Sequence, residues 1–454
     1  MRRIAWSVLL ASFGVPAWLG AQGFAVNELG TCAMGRAGVA AAGPCGDGSG
    51  VWANPAALAG LTGTHVSASA TLIRPHGGFT DDLYGEKTDM PGQNYIVPSV
   101  YLTHQTGKLG IGVGLYAPYG LGTKWPTDFI GRFDAYNTQL KSIYVQPTIA
   151  YQVNDWLSLG LGVAYIHSTV ELHQRVDLSL QPLPTNPFLP AGTRFSAIGI
   201  PNFTDFADAT LTASGNGVAF NGGILVKVTD RLTIGGHFIT KKTITYKGDA
   251  TFAPVPTGLV FAPGTTPLNP TTPLPIDAAV AAQFVTGGSL VNQTATTTIT
   301  MPDQGTVGFA YKMNDRWTIM ADYQQVVWGW FGTLVLDFSN QTTPDRVLVE
   351  DFKDSHAIRV GVEFQRSAKT TIRAGYLFHT AAAPVQTVTP LLPEAARNEF
   401  TVGLGTELMR GIKFDAAYQF IVQQDRRGRA GTPYNNGLYS FGAHLFGAGL
   451  AYTF

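Results

Sequence analysis

Residues 157–165 read LSLGLGVAY and residues 109–116 read LGIGVGLY, so apolar side chains occupy every second position. The same alternation ends the chain, where residues 446–454 read FGAGLAYTF. A repeat of two residues places the apolar side chains on one face of a β-strand. The other face is small or weakly polar, which is typical of the lumen side of a membrane barrel. The sequence therefore predicts an all-β fold, a transmembrane antiparallel β-barrel.

The composition agrees with a wall that contacts lipid. Charged residues make up 13% of the chain, against about 25% in typical globular proteins. The chain has 53 glycines and 11% aromatic residues, and its 30 basic residues balance its 30 acidic residues. Such a surface offers no basic patch for nucleic acid. A soluble array of β-sandwiches is the alternative that the composition leaves open.

Connectors of two lengths set the predicted number of strands. Six short polar turns occur at residues 106–108, 154–155, 229–230, 314–315, 367–369 and 410–411. Seven longer segments alternate with them, near residues 75–92, 118–134, 178–208, 250–290, 339–353, 382–395 and 425–435. This alternation predicts a barrel of about 14 strands, with short periplasmic turns and long extracellular loops.

The start of the chain has the pattern of a secretory signal. Arg2 and Arg3 precede an apolar stretch at residues 4–19, and Ala21 supplies a small residue for cleavage. We therefore expect residues 1–21 to be a signal peptide.

The next segment, residues 22–61, has no strand pattern. We expect it to form a small N-terminal hatch inside a barrel of residues 62–454, because a bare barrel of this size would leave a wide aqueous hole. Cys32 and Cys45 are the two cysteines of the chain, and in an oxidising periplasm the pair predicts a disulfide. No metal site and no cofactor are predicted.

Several short elements together resemble the FadL/TodX family of outer-membrane transporters of hydrophobic compounds. The first three are GFAVNE at residues 23–28, MGRA at 34–37 and NPA at 54–56. Further elements are DFIGRF at 128–133, PDQ at 302–304 followed by GFAYK at 308–312, and DFKD at 351–354. The resemblance implies a barrel of about 14 strands, an N-terminal hatch, and uptake of long-chain fatty acids or hydrocarbons.

The resemblance also implies a route for the cargo, from a groove between the third and fourth extracellular loops, through the lumen, to a lateral opening at the third strand. The expected groove residues are Leu183, Phe188, Leu189, Leu259, Val260, Phe261, Val280 and Phe284. The expected gating residues of the hatch are Gln22, Gly23, Phe24, Arg36, Asn54, Pro55 and Ala56. Gly110, Gly112 and Gly114 are expected to permit the opening in the third strand. Two alternatives remain open. The loops could pack only on each other, and Arg36 could pair with a lumen acid such as Glu28 or an aspartate.

Other function classes stay open. A general or specific diffusion porin usually lines its constriction with opposed charges, which the low charge of this chain disfavours. A barrel enzyme would need a nucleophile and a histidine; His76, Asp81 and Asp82 share the first loop, but no G-x-S-x-G motif appears. We expect no enzyme, and instead passive transport by a monomer whose partners are a hydrophobic ligand and outer-membrane lipid.

Overall fold

The computed structural model describes residues 23–26, 28–182, 189–264 and 269–454. The predicted signal peptide of residues 1–21 lies outside this range, and so does Gln22. Within it, 14 long strands form one closed antiparallel barrel. The predicted fold class is confirmed.

The barrel strands follow one another in chain order, and five of them are interrupted, four of which are neighbours (β7 to β10). Their bounds are β1 Gly63–Asp81, β2 Tyr95–Thr106, β3 Leu109–Lys124, β4 Asn137–Gln152, β5 Leu157–Val176, β6 Ala207–Lys227, β7 Leu232–Ile239 with Lys242–Pro254, β8 Gln293–Met301 with Gln304–Lys312, β9 Trp317–Val326 with Thr333–Phe338, β10 Arg346–Val349 with Ser355–Gln365, β11 Thr370–His379, β12 Arg397–Met409, β13 Ile412–Gln423 with Arg426–Gly428, and β14 Gly437–Thr453.

The first and last strands close the barrel. Their pairing runs from His65 opposite Thr453 to Asp81 opposite Gly437. This pairing leaves neither terminal strand with a free edge, which is what a hydrocarbon environment requires. The six predicted short turns join β2 to β3, β4 to β5, β6 to β7, β8 to β9, β10 to β11 and β12 to β13.

The alternation of the sequence separates a lipid face from a lumen face. Leu161 and Tyr165 on β5 are about half exposed, whereas Ala164 and Ile166 are buried in the lumen. The apolar band on the lipid face ends toward the long loops at exposed cationic residues such as Lys241. Toward the short turns it ends at aromatic side chains, as expected at a membrane interface.

The described part of the N-terminal segment, residues 23–26 and 28–61, lies against the lumen face. It contains the helices α1 Thr31–Met34 and α2 Gly50–Ala53 and the 3-10 helix Pro55–Gly60. Glycines of the wall make room for it, because a Cβ at Gly160 would lie 2.3 Å from Ala56 N, and one at Gly235 would lie 2.0 Å from Ala41 O. The bounds of the predicted hatch, and its being a separate domain, stay predictions.

The remaining elements are short and belong mostly to the long loops. They are the helix α3 Ile276–Val280, the 3-10 helices Ile130–Phe133, Phe195–Ile198, Ala281–Phe284, Trp328–Trp330 and Pro433–Asn435, and the strands Lys87–Asp89, Val260–Phe261 and Leu274–Pro275. Among the described residues, no helix is long and apolar enough to cross a bilayer.

Candidate functional site

An apolar cluster joins the third and fourth long loops. Its buried members, here named the loop cluster, are Leu178, Phe195, Ile198, Ile200, Phe206, Ala207, Ile276, Val280 and Leu290. Of the predicted groove residues, Val280 belongs to it, and Leu189, Leu259, Phe261 and Phe284 pack against it half-buried. Val260 is 59% exposed, and Leu183 and Phe188 lie outside the described residues.

The two loops therefore pack on each other, as one of the alternatives expected, and whether they also hold cargo stays a prediction. Asp277, in the first turn of α3, links this helix to the preceding part of the loop, since its carboxylate accepts hydrogen bonds from Thr257 N and Oγ1. These hydrogen bonds hold the pKa of the Asp277 carboxyl below its ordinary value.

Aromatic side chains fill the lumen between the loops and the N-terminal segment. The lumen cluster includes Phe24, Phe79, Tyr116, Tyr119, Trp125, Phe129, Tyr144, Tyr246, Trp328, Phe331, Phe352 and Tyr439, all buried. The rings stack or meet edge to face, with centroids 4.7 Å apart for Trp125 and Phe129 and 4.4 Å apart for Phe79 and Tyr439. Such packing gives the lumen an apolar interior.

The beginning of the N-terminal segment pairs with β3 inside the barrel. Val26 N donates to Pro118 O over 2.8 Å, and Gly120 N donates to Phe24 O over 3.0 Å. The Phe24 ring lies between Tyr119 and Trp328, with centroids 6.0 and 4.8 Å away. Phe24 thus fills the lumen directly behind the wall of β3.

The wall has a gap beside β3. The β2–β3 pairing ends at Val100 opposite Leu115, although β2 continues to pair with β1 as far as Tyr95. On its other side β3 shifts register against β4 between Tyr116 and Tyr119. Residues 116–124 therefore have no ladder partner on β2.

The predicted glycines lie below this gap. Gly110, Gly112 and Gly114 pair with both β2 and β4. They face the N-terminal segment, since a Cβ at Gly110 would lie 2.4 Å from Leu58 O and one at Gly114 would lie 2.9 Å from Val51. The ladder is intact at all three positions, and whether these glycines permit an opening stays a prediction. Proline and a bulge at residues 116–119 interrupt the ladder instead.

A buried lysine reaches the lumen cluster. Lys242 is 4% exposed, and its Nζ donates to Tyr119 Oη over 2.9 Å and to Pro302 O over 3.4 Å. It also lies 4.3 Å from the centre of the Tyr119 ring. None of the ion pairs found among the described residues includes Lys242. Sequence analysis did not single it out, because one lysine in an alternating strand carries no signal of its own.

Arg36 pairs with a lumen acid, as the alternative for this residue anticipated. It is 2% exposed and makes an ion pair of 2.9 Å with Glu363 on β10, not with the suggested Glu28. Glu363 also pairs with Arg373, which in turn pairs with Asp415. A buried charge needs such partners, so Arg36 fastens the N-terminal segment to the wall.

The NPA element and the disulfide also hold this segment together. Asn54 Oδ1 accepts from Ala56 N, and Asn54 Nδ2 donates to Ala41 O over 2.6 Å and to Ile224 O of β6 over 2.9 Å. Pro55 begins the 3-10 helix. The predicted disulfide between Cys32 and Cys45 is present. Neither element has a free surface in the lumen for cargo.

Comparison with known proteins decides the family. The family model for outer membrane protein transport proteins (OMPP1/FadL/TodX) matches residues 15–454. The chain belongs to the OMPP1/FadL/TodX family. The resemblance that the short sequence elements carry is thereby confirmed, and as a family member the chain is an outer-membrane transport protein.

Relatives align with this chain over nearly its whole length. A 47 kDa outer membrane protein of Pasteurella multocida is 24% identical over 96% of this chain and 94% of its own length. A long-chain fatty acid transport protein of Salmonella typhi is 23% identical over 99% of this chain and 98% of its own.

Among solved structures, a Pseudomonas aeruginosa FadL homologue is similar with a TM-score of 0.80 at 19% identity, covering 95% of this chain and 100% of that one. The Ralstonia pickettii toluene transporter TbuX is similar with a TM-score of 0.65 at 19% identity, covering 94% and 100%. At these identities the structures establish the shared fold.

Proposed function

We propose that this family member passively carries hydrophobic molecules with a carboxylate, of the long-chain fatty acid class, across the outer membrane. The observation that carries the proposal is Lys242, a buried lysine at the edge of an apolar lumen. Among the described residues, its hydrogen-bond partners are the neutral oxygens of Tyr119 and Pro302. The names of relatives support both a fatty acid and an aromatic hydrocarbon as family cargo. Lys242 favours the first.

The reason is electrostatic. An ammonium group without an anionic partner is costly to bury, and a carboxylate beside it forms a charge-assisted hydrogen bond. The aromatic rings of the lumen cluster supply apolar surface for the chain of the same molecule. A neutral hydrocarbon would contact the rings but would form no charge-assisted hydrogen bond with Lys242.

The proposed route passes the apolar surfaces in turn, from the long loops to the lumen and then to the wall. Cargo would bind at the loop cluster, enter the lumen cluster, and leave through the gap beside β3 when the N-terminal segment moves as a hatch. Phe24 is the side chain to be displaced, because it lies between Tyr119 at the gap and Trp328 across the lumen. No energy source is required, since the cargo follows its own gradient.

The test compares a fatty acid with a hydrocarbon. Purified protein in detergent is titrated with labelled oleate and with labelled toluene, in wild type and in Lys242→Met. We expect the substitution to weaken oleate binding about tenfold, or about 1.4 kcal/mol, the order of a hydrogen bond to a charged group. Toluene binding should not change.

The control is Lys247→Met, which removes an exposed lysine from the same strand. If Lys242→Met leaves oleate binding unchanged, the role of Lys242 in binding a carboxylate is refuted; if toluene binds and oleate does not, the cargo is a neutral hydrocarbon. If neither ligand binds and bilayers carry a steady ion current, the porin alternative replaces the proposal.

A further inference from the structure

The lipid face of the barrel carries a groove across four neighbouring strands, β6 to β9. Its volume is about 600 Å³, within the range of small-molecule sites. Three glycines form the floor, Gly222, Gly236 and Gly305. A Cβ at Gly222 would meet no atom within 4 Å, and one at Gly305 would meet only the Phe238 ring at 3.8 Å. The groove therefore exists because these outward positions have no side chains.

Apolar side chains line the groove, and they face the bilayer. Ile224, Phe238, Val307 and Tyr323 are each between 43% and 59% exposed. The groove thus lies in the apolar band, and these four side chains give it hydrocarbon-compatible walls. A hydrocarbon chain, either of a membrane lipid or of a bound molecule, is the chemical group that fits this groove.

The wall is interrupted next to the groove, on the side toward the long loops. Ile239, Gln304, Val326 and Ser355 form one row of paired residues across β7 to β10, and each of these four strands is broken next to this row. The β8–β9 ladder stops at Gln304 opposite Val326 and resumes only at Thr296 opposite Asp337. This is a second break in the wall, separate from the gap beside β3.

One short turn separates the lumen from the groove at this break. Trp328 is buried inside, with its ring centroid 4.8 Å from that of Phe24. Two residues later Trp330 is 49% exposed on the outside, with Lys241 Nζ 3.1 Å from its ring centre. Val327, which precedes the turn, lines the groove. Phe24 therefore adjoins both breaks, through Tyr119 and through Trp328.

Two consecutive lysines stand on opposite faces of the wall at the same place. Lys242 points into the lumen and Lys241 is exposed outside. A carboxylate that crosses the break would find a cation on either side. Asp303, also at the outer rim, accepts hydrogen bonds from Lys241 N and Trp330 Nε1.

We propose that the groove is a binding site for the hydrocarbon chain of the cargo, which reaches it from the lumen through the break between β8 and β9. The chain would lie along the glycine floor with the carboxylate near Lys241. The inference rests on the proposed function, since it requires a cargo in the lumen. Continuity with the lumen cluster through the Trp328–Trp330 turn favours cargo over a lipid of the bilayer as the occupant.

The test maps where a fatty acid sits. Protein in phospholipid nanodiscs is irradiated with a fatty acid that carries a photoreactive diazirine near its methyl end, and labelled peptides are identified by mass spectrometry. We expect labelling of the lumen cluster and of the outer residues of β7 and β8, both displaced by excess oleate. Gly222→Leu and Gly305→Leu should lose the groove labelling and keep the lumen labelling. The control is Ala448→Leu, which places the same leucine side chain at an exposed position on β14 and should change neither.

Each other outcome overturns the inference in a distinguishable way. Lumen labelling without groove labelling would leave the proposed function standing and refute the second site. Groove labelling that a photoreactive phospholipid reproduces and oleate does not displace would identify a lipid site instead. The absence of labelling at both places would contradict the proposed function as well.

Discussion

Phe24 is held by its backbone and by its ring independently. Its carbonyl accepts from Gly120 N, while its ring meets Trp328 and Phe331 with centroids 4.8 and 5.3 Å away. Because the backbone bonds do not depend on the side chain, the ring can be removed without releasing the pairing with β3. At the scale of one residue, a substitution of Phe24 therefore tests how the lumen is closed without disturbing how the N-terminal segment folds.

We therefore expect Phe24→Ala to open the lumen while the barrel stays folded. The ion conductance of the protein in planar bilayers should rise, and the free energy of unfolding should fall by about 3–5 kcal/mol, the usual cost of truncating a buried phenylalanine. Phe309→Ala, on the lipid face, is the control and should leave the conductance unchanged. Equal conductance in wild type and Phe24→Ala would contradict a closing role for the ring.

Sequence reasoning identified some of the important single residues and missed others. It selected Phe24 and Arg36 because both lie in elements that resemble the family, and it anticipated an acidic partner for Arg36. It could not name Glu363, which is 327 positions away in the chain. It also missed Lys242, because a buried charge is recognisable only once the strands around it are assembled.

At the scale of the element, the first half of β3 is a regular strand and its second half is irregular. Its first half follows the alternation that the sequence displays, and its second half begins at the register shift between Tyr116 and Tyr119. Pro118 has no N–H to donate to a ladder. The glycines of the first half were chosen from the sequence as an opening, but glycine serves equally well for a close approach and for a break, and the irregularity lies in the second half.

Tyr95 of β2 lies across the gap from this second half. A Cβ at Gly122 would come within 2.4 Å of its ring, so the ring covers backbone that has no ladder partner. We expect Tyr95→Ala to widen the gap and to speed the transfer of labelled fatty acid from purified protein to lipid vesicles, measured by stopped-flow fluorescence. Tyr84→Ala, an exposed loop position, is the control. An unchanged transfer rate in Tyr95→Ala would argue against release at this gap.

At the scale of the whole molecule, the number of strands was readable and the breaks in the wall were not. Turn length and alternation are local properties, so the six short turns predict 14 strands directly. The interruptions of β7, β8, β9 and β10 lie in one row of paired residues across the sheet. No single strand contains the information that its neighbours break at the same height.

The closed barrel begins at Gly63, after the N-terminal segment has ended. All strand pairing within the wall is therefore independent of residues 23–61. Lumen side chains do bond this segment, as when Gln146 donates to Val51 O and Asp322 accepts from Ala40 N. Water can take the place of such partners when a lumen is open to solvent.

Deleting residues 23–61 should consequently leave a folded barrel with an aqueous pore. We expect the β-sheet signal in circular dichroism to persist and the conductance in planar bilayers to exceed that of Phe24→Ala, because a barrel of 14 strands without a plug has a wide lumen. Fatty acid binding at Lys242 should weaken, since water then competes for its ammonium group. A conductance equal to that of wild type would mean that the loops close the pore. A loss of the β-sheet signal would mean that the segment is a part of the barrel core.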